Sequence, residues 1–548
     1  MKKHLIQKLH LLKEKKMSRL EQFLVGLVGL GGVLLVGFVL YAVYLNLPTE
    51  SVATYLPADN TVMYAEINDL KLPTKMEANT DQAVLTQSLG QPFGLDLSAA
   101  LKSFGNDVMA YAMVKDITLG NQPLLFIKSK SQGSALSYFK TLLLPGEELV
   151  KSAEKNPVYS YAQGQPFSFR FVGRYVVIGK NTDALMLVEE KNIKSLNDDE
   201  NYQKSVGNLP RRSWILGYVN FSSLNFSQNL AVSNILEPLK NAIRHIAFTV
   251  RKDQEGFHFN TFVNLNKDLL SLKRGGSEEK FTYDLTNYLL EDGMGMYIGG
   301  ANLEAEWLNT LETISNLNPA YGVILEGLVR AQADAIFGGE VDLRNDLYPL
   351  FQGEYALAVG NGENGKTISL ILSTNDRAFA EKKLDKMAKG FKFLAAKFAP
   401  KVSVVTLPDG TESRELVPDS GKLETTEDTV NGFTVKCTEV SGTSAGFCYT
   451  VTDEIVVITN SKARLLATLD LKGANLLSKS ASFRKTLANL SKVSDEVTYV
   501  NFDNLYKLAE TNQYAQALQP LLSKLSAGSW VKHYFNDGVS TEGYILVK

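Results

Sequence analysis

Hydrophobic positions along the chain fall into three patterns. From Phe23 to Leu45 they run without a charge, as "FLVGLVGLGGVLLVGFVLYAVYL". At about 1.5 Å rise per residue a helix of that length spans roughly 34 Å, enough for a hydrocarbon core of about 30 Å. Beyond it, alternation at period two marks strands, in "FSFRFVG" then "RYVVIGK" and in "HIAFTV" then "GFHFNTFV". Apolar residues at helical spacing mark "SALSYFKTLL", "NLAVSNILEPLKNAI" and "FAEKKLDKMAKGFKFLAAKF". The strands are joined by short connections, which force antiparallel pairing because parallel neighbours need a crossover of about a dozen residues or more. The expected class is α+β, an antiparallel sheet with helices packed on it.

The pattern is written twice. "ENYQKSVGNLPRRSWILGYVNFSSL" (Glu200–Leu224) aligns without a gap with "ASFRKTLANLSKVSDEVTYVNFDNL" (Ala481–Leu505), matching Lys204 to Lys485, Asn208 to Asn489 and Tyr218-Val-Asn-Phe221 to Tyr499-Val-Asn-Phe502. Upstream, "YVVIGKNTDALMLVEE" runs beside "IVVITNSKARLLATLD", and "VMYAEINDL" (Val62–Leu70) beside "GMYIGGANL" (Gly295–Leu303). The period is too long for a solenoid. The expectation is a tandem duplication of a domain-sized unit: a basic tail at 1–22, a membrane helix at 23–45, a first repeat at 51–267, a linker at 268–280 containing "SLKRGGSEEK", and a second repeat at 281–548.

Charge orients this layout. Lys2, Lys3, Lys8, Lys13, Lys15, Lys16 and Arg19 precede the apolar run, opposed by Glu14 and Glu21, and no Lys or Arg follows it until Lys71. The positive-inside rule puts the N-terminus in the cytoplasm and the bulk of the chain outside, in a single-pass arrangement. A cleaved signal peptide would have a shorter apolar region and an A-x-A-like site, whereas "YAVYLNL" offers none, so an uncleaved anchor in the lipid bilayer is expected. The net charge of −2 removes the main argument for nucleic acid, which needs a basic surface. Two cysteines are too few for a disulfide scaffold.

The basic tail, the single apolar helix and the opening "YLPADNTVMYAEIND" (Tyr55–Asp69) together resemble the bacterial DUF3352 family. The resemblance implies a membrane-anchored envelope protein and supplies no activity. The second repeat departs from the pattern, opening "LLEDGMGMYIGG" without the proline.

Catalytic motifs are weak. "GTSAG" (Gly442–Gly446) fits the nucleophile-elbow spacing around Ser444, but an elbow needs strand, turn and helix, and here "FCYTVTDEIVVIT" reads as strand. Ser137–Lys140 and Ser482–Lys485 fit S-x-x-K without the partner motifs of that site. His245, His258 and His533 show no zinc-ligand spacing with a cysteine. No catalytic residue, metal or cofactor is assigned. The aromatic run Phe167, Phe169 and Phe171 reads as core.

Three features remain. "VKCTEVSGTSAGFCYTV" reads as a hairpin centred near Gly442–Thr443, a register that sets Cys437 opposite Cys448, and an oxidising compartment would permit a disulfide. Glu381–Lys401 carries seven lysines. Lys382, Lys386, Lys389, Lys392 and Lys397 are a candidate interaction face for a membrane surface or anionic polymer, against the plainer reading of a core-facing helix with solvated lysines. The acidic stretch at 407–432 has seven acids and two bases and reads as a mobile insertion absent from the first repeat. The function expected is a non-enzymatic, extracytoplasmic binding or scaffold protein, with an envelope protein or polymer as partner. The alternatives are a cell-envelope hydrolase with an unrecognised site and an accessory subunit of a membrane complex.

Overall fold

The computed structural model describes residues 51–69, 90–224, 242–266 and 281–548, apart from short interruptions within them. The expected tail at 1–22, membrane helix at 23–45 and linker at 268–280 lie outside the described residues, as does most of "NLAVSNILEPLKNAI". Among the described residues no helix is long and apolar enough to cross a membrane.

The protein is α+β, with a large antiparallel sheet. Its first half supplies β1 (Thr61–Ile67), β2 (Met109–Asp116), β3 (Gly120–Lys128), β4 (Leu149–Lys151), β5 (Val158–Tyr161), β6 (Ser168–Val172), β7 (Tyr175–Gly179), β8 (Ile215–Asn220), β9 (Ile243–Lys252) and β10 (Gly256–Leu265). The second half supplies β11 (Met294–Gly300), β12 (Tyr355–Gly362), β13 (Gly365–Ser373), β14 (Pro400–Thr406), β15 (Glu412–Pro418), β16 (Leu423–Val430), β17 (Phe433–Val440), β18 (Gly446–Val451), β19 (Ile455–Thr459), β20 (Glu496–Asn501), β21 (Leu525–Phe535) and β22 (Gly538–Val547).

Pairing runs β4-β5-β6-β7-β3-β2-β1-β8-β9-β10 through the first half. It continues β22-β21-β20-β11-β12-β13-β19-β18-β17-β16 through the second. The junction is β10 against β22, with Asn260 opposite Glu542 at its middle. The two "YVNF" strands hold matching places: Tyr64 faces Tyr218 across β1 and β8, and Tyr297 faces Tyr499 across β11 and β20. Each of β1 and β11 carries a register shift near its start, between Thr61 and Met63 and between Met294 and Met296.

Period-two alternation divides the core between the two faces of the sheet. In the second half Tyr297, Ala356, Ile371, Val457 and Tyr499 face one side with Leu465 and Phe483, from the helices Lys462–Leu469 and Ala481–Ala488. Tyr355, Leu372, Val456 and Tyr449 face the other with Phe337, Leu384, Met387 and Phe391, from the helices Pro319–Phe337 and Arg377–Gly390 and the residue after it. In the first half "FSFRF" is core: Phe169 stacks on Phe139 at 3.8 Å between ring centroids.

Two expectations are corrected. The lysine-rich segment is two helices, Arg377–Gly390 and Lys392–Phe398, interrupted at Phe391. Gly390 lies so close to the end of the helix Pro319–Phe337 that a Cβ there would stand 2.0 Å from the Phe337 carbonyl oxygen. The acidic stretch is not a loop. It holds β15, β16 and the turns flanking them: β15 pairs with β14 in a separate two-stranded ribbon, and β16 forms an edge of the main sheet. On β16 the acids Glu424, Glu427 and Asp428 stand among threonines on a mostly exposed strand, a composition that blunts an edge against further pairing.

Candidate functional site

The motif residues are placed as follows. Gly442–Gly446 makes the turn of the β17–β18 hairpin, so strand rather than helix follows Ser444. Ser137 donates to the Gly133 carbonyl within its helix. Ser482 shares a hydrogen bond with Tyr499 while Lys485 reaches Glu255, so neither S-x-x-K pair is engaged with itself. His245 stacks on Tyr218, and burial pushes its pKa down to about 4. His258 contacts Asp253 at 3.3 Å, and His533 lies 3.4 Å from the Ser491 hydroxyl.

Cys437 and Cys448 face each other across β17 and β18 with Cα atoms 4.0 Å apart, and their sulfurs are bonded. Glu439 brings a carboxylate near this pair. A metal would need the thiolates, which the disulfide removes, and the Glu439 carboxylate instead accepts from the backbone at Lys462.

The lysine face divides. Lys382, Lys389 and Lys397 are exposed. Lys386 turns inward with Lys383 to the buried Asp346. Burial works to raise the Asp346 pKa, but the two lysine hydrogen bonds outweigh it and hold it at about 2. The Lys392 side chain lies outside the described residues. Large apolar side chains are exposed on elements that pack together: Val323 (72% exposed), Ile324 and Leu328 on the helix Pro319–Phe337, Phe393 and Phe398 on Lys392–Phe398, and Val402, Val404 and Leu416 (70% exposed) on the β14–β15 ribbon. Val402 faces Leu416 in the ribbon's register.

A second locus was not foreseen. In one row across β12, β11, β20 and β21 stand Tyr355, Gly300, Glu496 and Lys532. The matching row across β2, β1, β8 and β9 is Met109, Ile67, Ile215 and Val250, wholly apolar. Over Gly300 lies Glu306, in the first turn of the helix Leu303–Leu317, which the Asn302 side chain caps by accepting from Ala305 N–H. A Cβ on Gly300 would stand 2.7 Å from Glu306 Oε1, so the absent side chain is what admits the carboxyl. Tyr355 donates its hydroxyl to Glu306 Oε2 at 2.7 Å, and Lys532 donates to Glu496 Oε1 at 2.6 Å.

A first-turn position favours a charged carboxylate by about 0.3–1 kcal/mol. Burial acts more strongly and pushes Glu306 up to about 7; the Tyr355 hydrogen bond and Lys532 pull it down, and Glu496 and Asp495 push it up. Burial likewise raises Tyr355 and Tyr534. A carboxyl titrating near neutrality can hold or release a proton within the physiological range. The sequence did carry a signal for this place, the double glycine of "MYIGG" where the first half has "YAEI", since glycine inside a strand often marks a close approach.

The first half has its own polar anomaly. Ser205 Oγ, His245 Nδ1, Thr249 Oγ1 and Asn260 Nδ2 are buried without hydrogen-bond partners among the described residues. In the second half Thr486, on the helix Ala481–Ala488, shares a 2.6 Å hydrogen bond with Ser529 on β21.

The model of a family described as "Protein of unknown function (DUF3352)" matches residues 121–528. No curated protein matches the chain. Among solved structures, crystal form IV of TP0453 is similar at TM-score 0.24 and 8% identity, over 39% of this chain and 81% of that one. Form III is similar at 0.23 and 7%, over 44% and 84%. These likenesses are too slight to carry an argument.

Proposed function

The chain belongs to the DUF3352 family, and from that premise we propose that it is a membrane-anchored, extracytoplasmic binding or scaffold protein that acts without catalysis. The observation that carries the reading is the exposed apolar surface around Phe393, Phe398, Val402 and Leu416. Exposed large apolar side chains on elements that pack together, with exposed lysines on the same segment, support an interaction site. The anchor is the uncharged run at 23–45. The Cys437–Cys448 bond supports an extracytoplasmic setting, because disulfides persist in oxidising compartments.

The two halves are read as tandem copies of one unit. The mirrored strand order, the Tyr64–Tyr218 and Tyr297–Tyr499 pairs and the matching register shifts support that origin. The ribbon and the helix Lys392–Phe398 stand between the helix and the edge strand of the second copy, where the first has no equivalent described, so the binding surface belongs to the second copy.

The test is recovery of full-length protein from its native membrane with bound partners identified by mass spectrometry, beside the variant Phe393→Ser/Leu416→Ser. Both positions are exposed, so the variant keeps its fold. A partner retained by the wild type and lost by the variant supports the reading. Equal recovery by both, or the protein alone in both, would overturn it.

A further inference from the structure

The row Tyr355–Gly300–Glu496–Lys532 lies under the helix Leu303–Leu317, which packs with Pro319–Phe337 as a helical pair. That pair carries the exposed apolar side chains Leu308, Val323, Ile324 and Leu328. We propose that the Glu306 carboxyl is a proton-operated latch: protonated, it seats the helix Leu303–Leu317 against the sheet, and ionised, it loosens that seat.

The geometry makes Glu306 sensitive to its charge. Its oxygens fill the space over Gly300 and meet Tyr355. The Tyr355 hydroxyl donates to the carboxyl and favours its charged form, but burial outweighs that bond. The neighbouring cation, Lys532, is already engaged by Glu496. An ionised Glu306 thus sits half-buried beside a second carboxylate with its nearest cation committed elsewhere, and burial raises its pKa to about 7.

The groups facing it can be named by element. Tyr355 comes from β12, Asp495 and Glu496 from β20 and the residue before it, and Lys532 and Tyr534 from β21. From the turns before β12, Tyr348 accepts from Trp307 Nε1 at 2.8 Å. On the partner helix, Glu326 and Arg330 are paired with Arg344 and Asp342 instead. The Trp307–Tyr348 bond and the Asn302 bond to the Gln352 carbonyl (2.8 Å) fasten the helix independently of the Glu306 carboxyl, which sets how firmly the first turn is seated.

The latch goes beyond the binding reading and stands without it; only its link to the apolar surface rests on that reading. Hydrogen exchange on the full-length protein tests it directly and needs no partner. With intrinsic exchange rates corrected for pH, protection over 303–317 is expected to fall about tenfold between pH 6 and pH 8, the change that linkage gives for a carboxyl whose pKa moves from about 4.5 when free to about 7 when seated. Glu306→Gln, neutral at every pH, is expected to stay flat. Tyr355→Phe removes a hydrogen bond that favours the charged form, so the midpoint should move to higher pH. Flat protection in the wild type, an undiminished pH response in Glu306→Gln, or an unmoved midpoint in Tyr355→Phe would each overturn the latch. Either variant decides the matter if the other fails to fold.

Discussion

Gly300 and Glu306 are complementary: the side chain that one lacks is the space the other's carboxyl occupies, with 2.7 Å between the Cβ position and Oε1. A methyl group there would also meet the Tyr355 ring edge at 2.8 Å. Gly300→Ala should therefore cost about 1–3 kcal/mol, as overpacking does. Glu306→Ala in the same chain should return part of that loss by emptying the space. A double-mutant cycle by urea unfolding reads the coupling, and additive losses would show that the two positions are independent.

The pH dependence of stability contains two opposed contributions. Glu306 has its pKa raised from 4.5 to about 7 in the fold, so its contribution is fully present below pH 4.5 and is lost as pH rises through 7. His245 is held neutral with its pKa lowered from 6.5 to about 4, so folding loses stability as pH falls from 6.5 toward 4. Between about pH 4.5 and 6.5 the slopes oppose each other. Glu306→Gln should unmask a loss of about 2 kcal/mol on acidification across that window, and His245→Phe a gain of similar size. Denaturant midpoints at pH 4.5, 5.5 and 6.5 separate them.

Thr249 pairs with Leu216 on β8, and its hydroxyl is buried without a partner among the described residues. Val531 stands in the matching place opposite Val497. Thr249→Val is expected to be neutral or to stabilise by about 1 kcal/mol, because it removes a desolvated polar group. Thr486→Val should destabilise by about 1–3 kcal/mol, because it leaves the Ser529 hydroxyl unpartnered. Opposite signs for the two Thr→Val changes are the measurable outcome.

The Cys437–Cys448 bond closes a short loop, with a sequence separation of 11. Loop closure of that size is worth about 2–3 kcal/mol by chain entropy, and less where the hairpin is already hydrogen-bonded. Cys437→Ser/Cys448→Ser should lower stability by about 2 kcal/mol. Thiol labelling of protein recovered under non-reducing conditions should fail before reduction and succeed after it. Labelling without reductant would mean the thiols are free.

The α+β class and the antiparallel pairing were legible because short connections between alternating segments admit little else. The repeated "YVNF" pointed to two strands that hold matching places beside Tyr64 and Tyr297. The acidic strands were not legible. "LETTEDTV" lacks the apolar face that signals a strand, and it forms one because β17 supplies its hydrogen bonds on one side. The break at Phe391 was hidden for a related reason, since apolar spacing continues through it while a neighbouring chain segment sets the turn. The Glu306 locus draws on residues from four separate strands and a helix. Taken singly, Tyr355, Glu496 and Lys532 are unremarkable strand residues, and Gly300 alone hinted that something approaches there.

The β10–β22 junction has a consequence for assembly. Gly256–Leu265 can pair with β9 as soon as the first half is made, but its other edge must wait for Gly538–Val547. Through that interval a ten-residue strand with Phe257, Phe259 and Phe262 presents an open row of amides and carbonyls. Contacts so distant in sequence form slowly, and an unpaired edge left waiting is where foreign strands attach. The joint that makes the sheet continuous in the finished molecule is thus its most hazardous surface while the chain is still being built.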